Sequence, residues 1–472
     1  MNHRADIGII GLAVMGENLA LNMESRGYTV VVYNRTAEKV DQFLKGRAVG
    51  KNIIGTKDIN TFVRALSRPR KMMLMVKAGA PVDEMISTLS PLLQKGDIVI
   101  DGGNSDFRDT TRRQTELEKK GFFYVGTGVS GGEEGALNGP SIMPGGSAAA
   151  WPEVKPIFQR IAAQVGPKKN IPCAEWIGSG GAGHYVKMVH NAIEYADMQL
   201  ICEAYACMKL LAMKPPEMAA VFADWNTRAL ESYLIEITAK ILQKKDPEDR
   251  GYLVDQIRDA AGQKGTGKLA SQNALDLGVP TPILDEAVHA RFMSALKDER
   301  VSARNTIAKP SPRTKLSKKV FLHLVFDALY CSKIAAYAQG FALMSTASKE
   351  YGWSLDLGRI ALLWRGGCII RAQFLEEIAR AYSQKKHFAN LMLAPYFAGA
   401  LHARHRNWRK LICEAQNARL AIPAFSSALS YYDAYHTAVL PANLLQAQRD
   451  FFGAHTYERL DKPGTFHTEW SS

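Results

Sequence analysis

Residues 5 to 11, ADIGIIG, read as a short buried strand, and LAVMGENLALNMESRG (12 to 27) follows with a 3.6-residue apolar period that stops at Gly27. YTVVVYN (28 to 34) is apolar and β-branched again. A strand, a tight glycine turn, a helix and a second strand of these lengths constrain the chain strongly. Parallel neighbours need a crossover helix, and that crossover is right-handed. The alternation continues through KMMLMV (71 to 76), a helical pattern over 81 to 94 opened by Pro81, DIVIDGGN (97 to 104), a charged helix over 108 to 120 and FFYVGTG (122 to 128). SIMPGG (141 to 146) reads as one further strand, followed by a helix from Trp151 to about Val165.

The pattern predicts α/β plus all-α architecture, with a Rossmann-like, doubly wound N-terminal sheet over residues 1–178. After Gly178 the texture changes. Helix periodicity fills 183 to 213, 217 to 222, 228 to 243, 251 to 260, 283 to 298, 320 to 346, 356 to 380, 388 to 418 and 424 to 437, so residues 179–440 are expected to form a large all-helical domain. Its stretches at 185 to 212 and 320 to 346 each begin a comparable succession of helices, which hints at an internal duplication. Residues 441–472 are too short to own a core and carry Phe451, Phe452, Tyr457, Phe466 and Trp470, so this tail is expected to dock on another surface.

With 47% apolar and 22% charged residues the chain can bury large cores, which excludes disorder. The six cysteines are scattered without a C-x-x-C, and the opening MNHRADIGIIGL has no apolar run long enough for a signal peptide or membrane span. A soluble, cytoplasmic protein is expected. The formal charge of +13 suits nucleic acid, a membrane surface or an anionic small substrate, and does not choose among them.

The loop GLAVMG, comprising Gly11, Leu12, Ala13, Val14, Met15 and Gly16, places small residues where backbone N–H groups and a helix N-terminus meet a pyrophosphate. At the end of the second strand, where NAD sites carry an acidic residue, stand Asn34, Arg35 and Thr36. Arg35 cannot accept ribose hydroxyl protons but can clamp a 2'-phosphate, so NADP is favoured over NAD, and Thr36 is a candidate helix cap. Met75, Val76 and Lys77, then Asp101 and Asn104 in DGGN, end two further strands on the same sheet edge. Lys77 reads equally as solvated charge and Asp101 equally as a turn cap; Asn104 can bridge cofactor and substrate without adding charge.

Ser130, Gly131 and Gly132 in SGGEEG offer a hydroxyl and backbone donors to an anionic group. In HYVKMVHNAIEYADMQ, Lys187, His190, Asn191, Glu194 and Tyr195 stand at offsets 0, 3, 4, 7 and 8, on one helical face. Lys187, if neutral, can take a hydroxyl proton during hydride loss, and Glu194, if protonated, can return one to carbon. Desolvation or nearby cations would keep the lysine neutral. Lys264, Arg291, Arg449 and His455 are candidates for that pressure and for binding phosphate and carboxylate.

The motifs GLAVMG, NRT, MVKAG, DGGN, GTGVSGGEEGA, SIMPGG, GAGHYVKMVHN, KGTGK, ARF-SALKD, LPANL-QAQRD-FGAHTYER and FHTEW together resemble the 6-phosphogluconate dehydrogenases over residues 5 to 470. The resemblance implies a cytoplasmic homodimer of the pentose phosphate pathway that uses NADP, without a metal, to oxidise 6-phospho-D-gluconate at C3. Loss of CO2 and protonation of the enediol would then yield D-ribulose 5-phosphate. It also implies Lys187 as base and Glu194 as acid, with Gly11 to Gly16, Asn34 to Thr36, Met75 to Lys77 and Asn104 holding cofactor. Asn104, Ser130, Gly131, Gly132, His190, Asn191, Tyr195, Lys264 and Arg291 would hold substrate, with Arg449 and His455 from the other subunit. Ala192 and Ala196 stand where the family pattern has glycines, and Leu269 where it has tryptophan; no catalytic group is lost.

Two other readings stand beside this one. A simpler β-hydroxyacid dehydrogenase without CO2 release fits the helix stripe alone, but leaves the tail and the many basic side chains unused. A nucleic-acid-binding or scaffold protein would use AKPSPRTKLSKK (308 to 319) and HARHRNWRK (402 to 410), but leaves the Lys187-to-Glu194 stripe unexplained. The first of these basic stretches reads better as an exposed linker and the second as a helix face, so neither nucleic acid nor membrane is expected as a partner.

Overall fold

The computed structural model describes residues 4–307, 314–384 and 388–470; the first half of the expected linker, 308–313, lies outside the described residues. The N-terminal strands are β1 (Ile7–Ile10), β2 (Val30–Tyr33), β3 (Ile53–Thr56), β4 (Lys71–Leu74), β5 (Ile98–Asp101), β6 (Phe123–Val129) and β7 (Ile142–Gly146). They form one sheet in the order β3-β2-β1-β4-β5-β6-β7. β1 to β6 are parallel and β7 runs antiparallel to β6. β1 and β5 are buried at every residue, as expected of strands covered on both faces.

Two features of the sheet depart from the sequence expectation. β3 is an additional strand without a clear sequence signal, because IIGT is a short, half-buried edge strand interrupted by Gly55 and carries little pattern. The reversal at β7 arises because the short helix Gly132–Asn138 turns the chain back on itself and does not carry it across the sheet, and Ser130 N–H bonds Ser141 carbonyl at 3.0 Å to extend the ladder.

Helices Ala182–Leu210 (29 residues) and Lys318–Glu350 (33 residues) form the centre of the second domain. Both are apolar on most faces, the mark of core helices. Lys318–Glu350 is long and apolar enough to cross a membrane, yet its most apolar window is 78% buried within the protein. Between the two helices the buried Lys333 Nζ donates to Asp197 Oδ2 at 2.9 Å and to Ser232 Oγ at 3.3 Å.

Several expected helices end early or divide. The stretch 356 to 380 becomes Leu357–Leu363 and Leu375–Gln384, separated by a turn in which Gly367 takes φ +63°. The stretch 388 to 418 begins its helix only at Pro395, where the ring fits the first turn. The stretch 283 to 298 divides into Pro282–Ala295 and Lys297–Thr306, and 251 to 260 shrinks to Leu253–Gln256. Thr266–Asp276 is helical although its glycine-rich start hid it.

The tail also differs from expectation, having a small centre of its own. Helix Ala442–Gly453 and the hairpin Tyr457–Glu458 with Thr465–Phe466 gather round Asp450, which is 0% exposed. Its carboxylate accepts from Thr456 N–H at 2.9 Å, His467 Nδ1 at 2.9 Å, Thr468 N–H at 3.1 Å and Trp470 Nε1 at 2.8 Å. Leu444, Phe451 and Phe452 remain exposed.

The domains meet where β6 and β7 receive the start of helix Ala182–Leu210. A Cβ on Gly183 would lie 2.5 Å from the carbonyl oxygens of both Gly126 and Met143, so only glycine permits this approach. Ser141 closes the seam from the other side, its N–H bonding Gly367 carbonyl at 2.7 Å and its hydroxyl bonding Leu363 carbonyl at 2.8 Å.

Candidate active site

At the carboxyl edge of the sheet, β1 runs into the 11–16 loop. Gly11 has φ +104°, and a Cβ at Gly16 would lie 1.9 Å from Gly11 carbonyl oxygen, so both positions need glycine. The Asn34 side chain accepts Leu12 N–H at 3.0 Å and donates to Thr36 carbonyl at 3.0 Å, so it ties the loop to the end of β2. Leu12 is buried, Met15 half-buried, and Ala13 and Val14 exposed. Ala13 stands at the N-cap of helix Val14–Ser25 without a side-chain bond there. The helix thus presents its first N–H groups outward, as a pyrophosphate site requires.

Arg35 is exposed and makes no hydrogen bond or ion pair with the described residues, so its guanidinium is available to an anion. Thr36 occupies the N-cap of helix Ala37–Lys45, but its hydroxyl makes no capping bond, contrary to expectation; Asn34 performs the local tethering. Lys77 and Asn104 are exposed at the ends of β4 and β5, while Met75 and Val76 are half-buried. Asp101 is fully buried and accepts from Gly103 N–H at 3.0 Å, Ser105 Oγ at 2.6 Å and Tyr124 OH at 2.8 Å. It is a turn-forming carboxylate. These residues fit a dinucleotide phosphate backbone at the loop and a further anionic group at Arg35.

Within the helix stripe Lys187, His190 and Asn191 are buried and bonded as a unit, with Glu194 half-buried beside them. Lys187 Nζ donates to Asn191 Oδ1 at 2.7 Å and lies 3.4 Å from His190 Nδ1. His190 Nδ1 lies 3.2 Å from Asn191 Oδ1, and its Nε2 lies 3.2 Å from Ser130 Oγ. A neutral imidazole satisfies both contacts when Nδ1–H donates to the amide oxygen and Nε2 accepts the serine hydroxyl. Glu194 Oε2 stands 3.7 Å from His190 Nδ1. Lys187 fits because β6 has glycine opposite it: a Cβ at Gly128 would come within 2.4 Å of Lys187 Cβ.

Burial pulls the Lys187 pKa down, and the neighbouring Glu194 charge opposes that pull. Neighbouring cations, considered from the sequence, are not its cause within one chain. Burial likewise pushes Glu194 up, opposed by Lys187 and Arg291 and reinforced by Asp197. His190 is driven well below its ordinary value by burial and by Lys187. Burial thus shifts the lysine and the imidazole toward their neutral forms and the carboxyl toward its protonated form, all on one face, the directions that a base and an acid each need for proton transfer.

Other predicted residues fall at varied distances from this cluster. The Arg291 guanidinium lies 3.4 Å from the centre of the Tyr195 ring and donates to Gly262 carbonyl at 3.1 Å. Gly131 and Gly132 both have positive φ and follow Ser130 directly. Lys264 is exposed beside Thr266, with no hydrogen bond or ion pair to the described residues. Arg449 and His455 are exposed in the tail; Arg449 bonds Gln446 Oε1 at 3.1 Å, and neither residue joins the Lys187 cluster within this chain.

Sequence reasoning missed three supports. Thr266 Oγ1 accepts from Asn191 Nδ2 at 3.1 Å and so links the KGTGK loop to the stripe. The Trp364 ring meets His190 edge-on at 5.5 Å. Gly367 backs Gly131 so closely that a Cβ there would stand 2.5 Å from its carbonyl oxygen. The paired glycines of RGGC were the available signal for that last contact.

A dinucleotide-binding sheet sealed onto an all-helical domain, with a buried lysine–histidine–carboxyl stripe at the seam, defines a two-domain dehydrogenase. Residues 6–178 match the family described as the NAD binding domain of 6-phosphogluconate dehydrogenase, and 183–470 match its C-terminal domain. The decarboxylating enzyme of Ceratitis capitata is 54% identical over 473 residues, covering 100% of this chain and 97% of the relative. The Bacillus subtilis protein named as NADP(+)-dependent and decarboxylating is 56% identical over 470 residues, covering 99% of each. A solved 6-phosphogluconate dehydrogenase from Plasmodium falciparum, described in apo form and with its cofactor NADP+ and its substrate 6-phosphogluconate, superposes with a TM-score of 0.95. It is 45% identical and covers 98% of this chain and 100% of its own. The chain belongs to the 6-phosphogluconate dehydrogenase family.

Proposed function

We propose that this chain carries out the NADP-dependent oxidative decarboxylation of 6-phospho-D-gluconate to D-ribulose 5-phosphate, CO2 and NADPH, with Lys187 as base and Glu194 as acid. The observation that carries the assignment of roles is the buried Lys187–Asn191–His190–Ser130 chain with Glu194 beside it. The test is the joint release of NADPH and CO2 from 6-phosphogluconate by the purified protein. An intact, cofactor-binding preparation that yields neither overturns the reading.

The bound nicotinamide supplies the hydride acceptor. Lys187 takes the proton of the C3 hydroxyl, and Asn191 holds its Nζ in line to do so. The lysine, now an ammonium, then stabilises the oxygen where negative charge develops as CO2 departs. His190 and Ser130 hold the substrate's hydroxyls, and Glu194 delivers the proton that converts the enediol to product. Glu194→Gln should hurt that last step most, read as loss of solvent tritium incorporation into ribulose 5-phosphate. Normal incorporation in this variant would remove Glu194 from the acid role.

Arg35 sets the choice of NADP through its free guanidinium. Arg35→Asp should raise the NADP dissociation constant by about 10- to 100-fold, the scale of one charge-assisted contact, with NAD weakened much less or improved. Equal losses for both cofactors, measured by direct titration, would sink the assignment.

The same reading divides the chain at 1–178, 179–440 and 441–472 and makes it a cytoplasmic homodimer. The exposed Leu444, Phe451 and Phe452 of the tail support docking on a partner subunit. Arg449 and His455 then reach the partner's substrate, where Lys264 and Arg291 also face the phosphate and carboxylate.

A further inference from the structure

Three residues before Lys187 on the same helix, His184 lies buried in the seam between the domains. Its Nε2 is 3.2 Å from the backbone carbonyl of Asp101, and its Nδ1 is 2.7 Å from Thr110 Oγ1. A carbonyl oxygen only accepts, so Nε2 carries the hydrogen. Burial pulls the ring's pKa below its ordinary value, which leaves Nδ1 to accept the threonine hydroxyl. That hydroxyl also stands 3.0 Å from Asp106 carbonyl, but it has one proton, and this carbonyl already accepts Thr110 backbone N–H at 3.0 Å.

The two anchors bracket one segment. Asp101 ends β5, Thr110 lies in helix Phe107–Glu118, and Gly102, Gly103 and Asn104 stand between them. The bonds of the Asp101 carboxylate to Gly103, Ser105 and Tyr124 all stay inside the sheet domain. His184 ties the segment to the helix that carries Lys187 and Glu194. Gly180 and Gly181 N–H groups add bonds to Gln114 and Thr111 just ahead of that helix, at 3.0 Å each. The sheet leaves room for the ring: a Cβ at Gly126 would stand 2.9 Å from His184 Nδ1 and 2.4 Å from the Thr110 methyl.

We propose that His184 is a positioning residue for hydride transfer, holding the Asn104 segment at a fixed separation from Lys187. The proposal rests on the proposed function and on the role that the family resemblance gives Asn104, contact with cofactor and substrate. The reason it matters is geometric, since displacing reacting groups by about 1 Å costs about 10²-fold in rate.

The test compares His184→Asn, too short to span both anchors, with His184→Gln, whose amide can still donate to Asp101 carbonyl. The readouts are kcat, the isotope effect with 3-deuterated 6-phosphogluconate, NADP binding by titration, and thermal unfolding. His184→Asn should lose about 10²-fold in kcat with a larger isotope effect and nearly unchanged NADP binding, while His184→Gln recovers most of the loss. Wild-type kcat and isotope effect in His184→Asn would overturn the proposal. So would an equal fall in both variants with an unchanged isotope effect, the signature of lost folded protein. Should His184→Asn fail to fold, Thr110→Val keeps the volume while removing the Nδ1 partner and should lose about 10-fold in kcat, part of the same positional penalty. An unaltered Thr110→Val would then overturn the proposal. A wild-type protein inert towards 6-phosphogluconate would defeat the functional reading instead.

Discussion

Lys187→Met is expected to abolish hydride transfer, lowering kcat by on the order of 10³-fold or more, while a ternary complex with NADP and 6-phosphogluconate still forms. Methionine keeps the apolar length of the side chain, so the packing against Gly128 survives. What disappears is the Nζ that donates to Asn191 Oδ1 at 2.7 Å, and with it the only amine in the buried cluster among the described residues. The wild-type rate should also follow the lysine's protonation. A neutral base is required, so kcat/KM rises with pH through the Lys187 pKa, which burial has moved down from 10.5. That limb is absent from whatever residual rate Lys187→Met retains. Hydride transfer at wild-type speed in Lys187→Met, measured in a single turnover, would exclude the lysine as base.

Mixing Lys187→Met chains with Arg449→Ala chains is expected to restore activity that the inactive Lys187→Met homodimer lacks and the impaired Arg449→Ala homodimer has only at raised substrate concentration. Arg449 is exposed, bonds only Gln446 among the described residues, and belongs to a tail whose apolar side chains are uncovered. Burying a few of those side chains at roughly 1.5 to 3 kcal/mol each favours a partner surface. A C2 dimer with exchanged tails builds two composite sites. In the heterodimer one site then combines an intact lysine with an intact arginine, giving up to half of wild-type activity per dimer. Arg449→Ala alone should dimerise and bind NADP but weaken 6-phosphogluconate binding by about 10- to 100-fold, the scale of lost charge-assisted bonds. No recovery, despite heterodimers proven by differential tagging, would place the arginine's action within its own chain or away from the site.

The tail illustrates where sequence pattern stops being informative. Of its five aromatic residues, which the sequence suggests as a docking surface, Phe451, Phe452 and Trp470 are exposed, while Tyr457 and Phe466 pack against each other. The role of Asp450 is not legible in the sequence, because its four donors come from residues 456, 467, 468 and 470, spaced with no period. The same holds for the helical domain, where the long helices were visible but the break at Gly366 and Gly367 was not. That break exists because Gly367 packs beneath the Ser130 to Gly132 loop of the other domain.

Local periodicity by itself determined the strand–helix alternation, the glycine loop at 11–16 and the shared face of Lys187, His190, Asn191, Glu194 and Tyr195. Strand and helix geometry translate spacing directly into direction, so these features need no distant partner. Tertiary structure alone decided the antiparallel return of β7, the bond from Thr266 to Asn191, the Trp364 wall behind His190 and the tie from His184 to Asp101. It also decided what pulls the lysine pKa down: the sequence offers nearby cations or burial, and burial, with Gly128 of β6 packed on the side chain, is the cause the fold supplies. Contacts between residues far apart in the chain have no period, and desolvation depends on everything that surrounds a group, so neither is written in any local stretch of sequence.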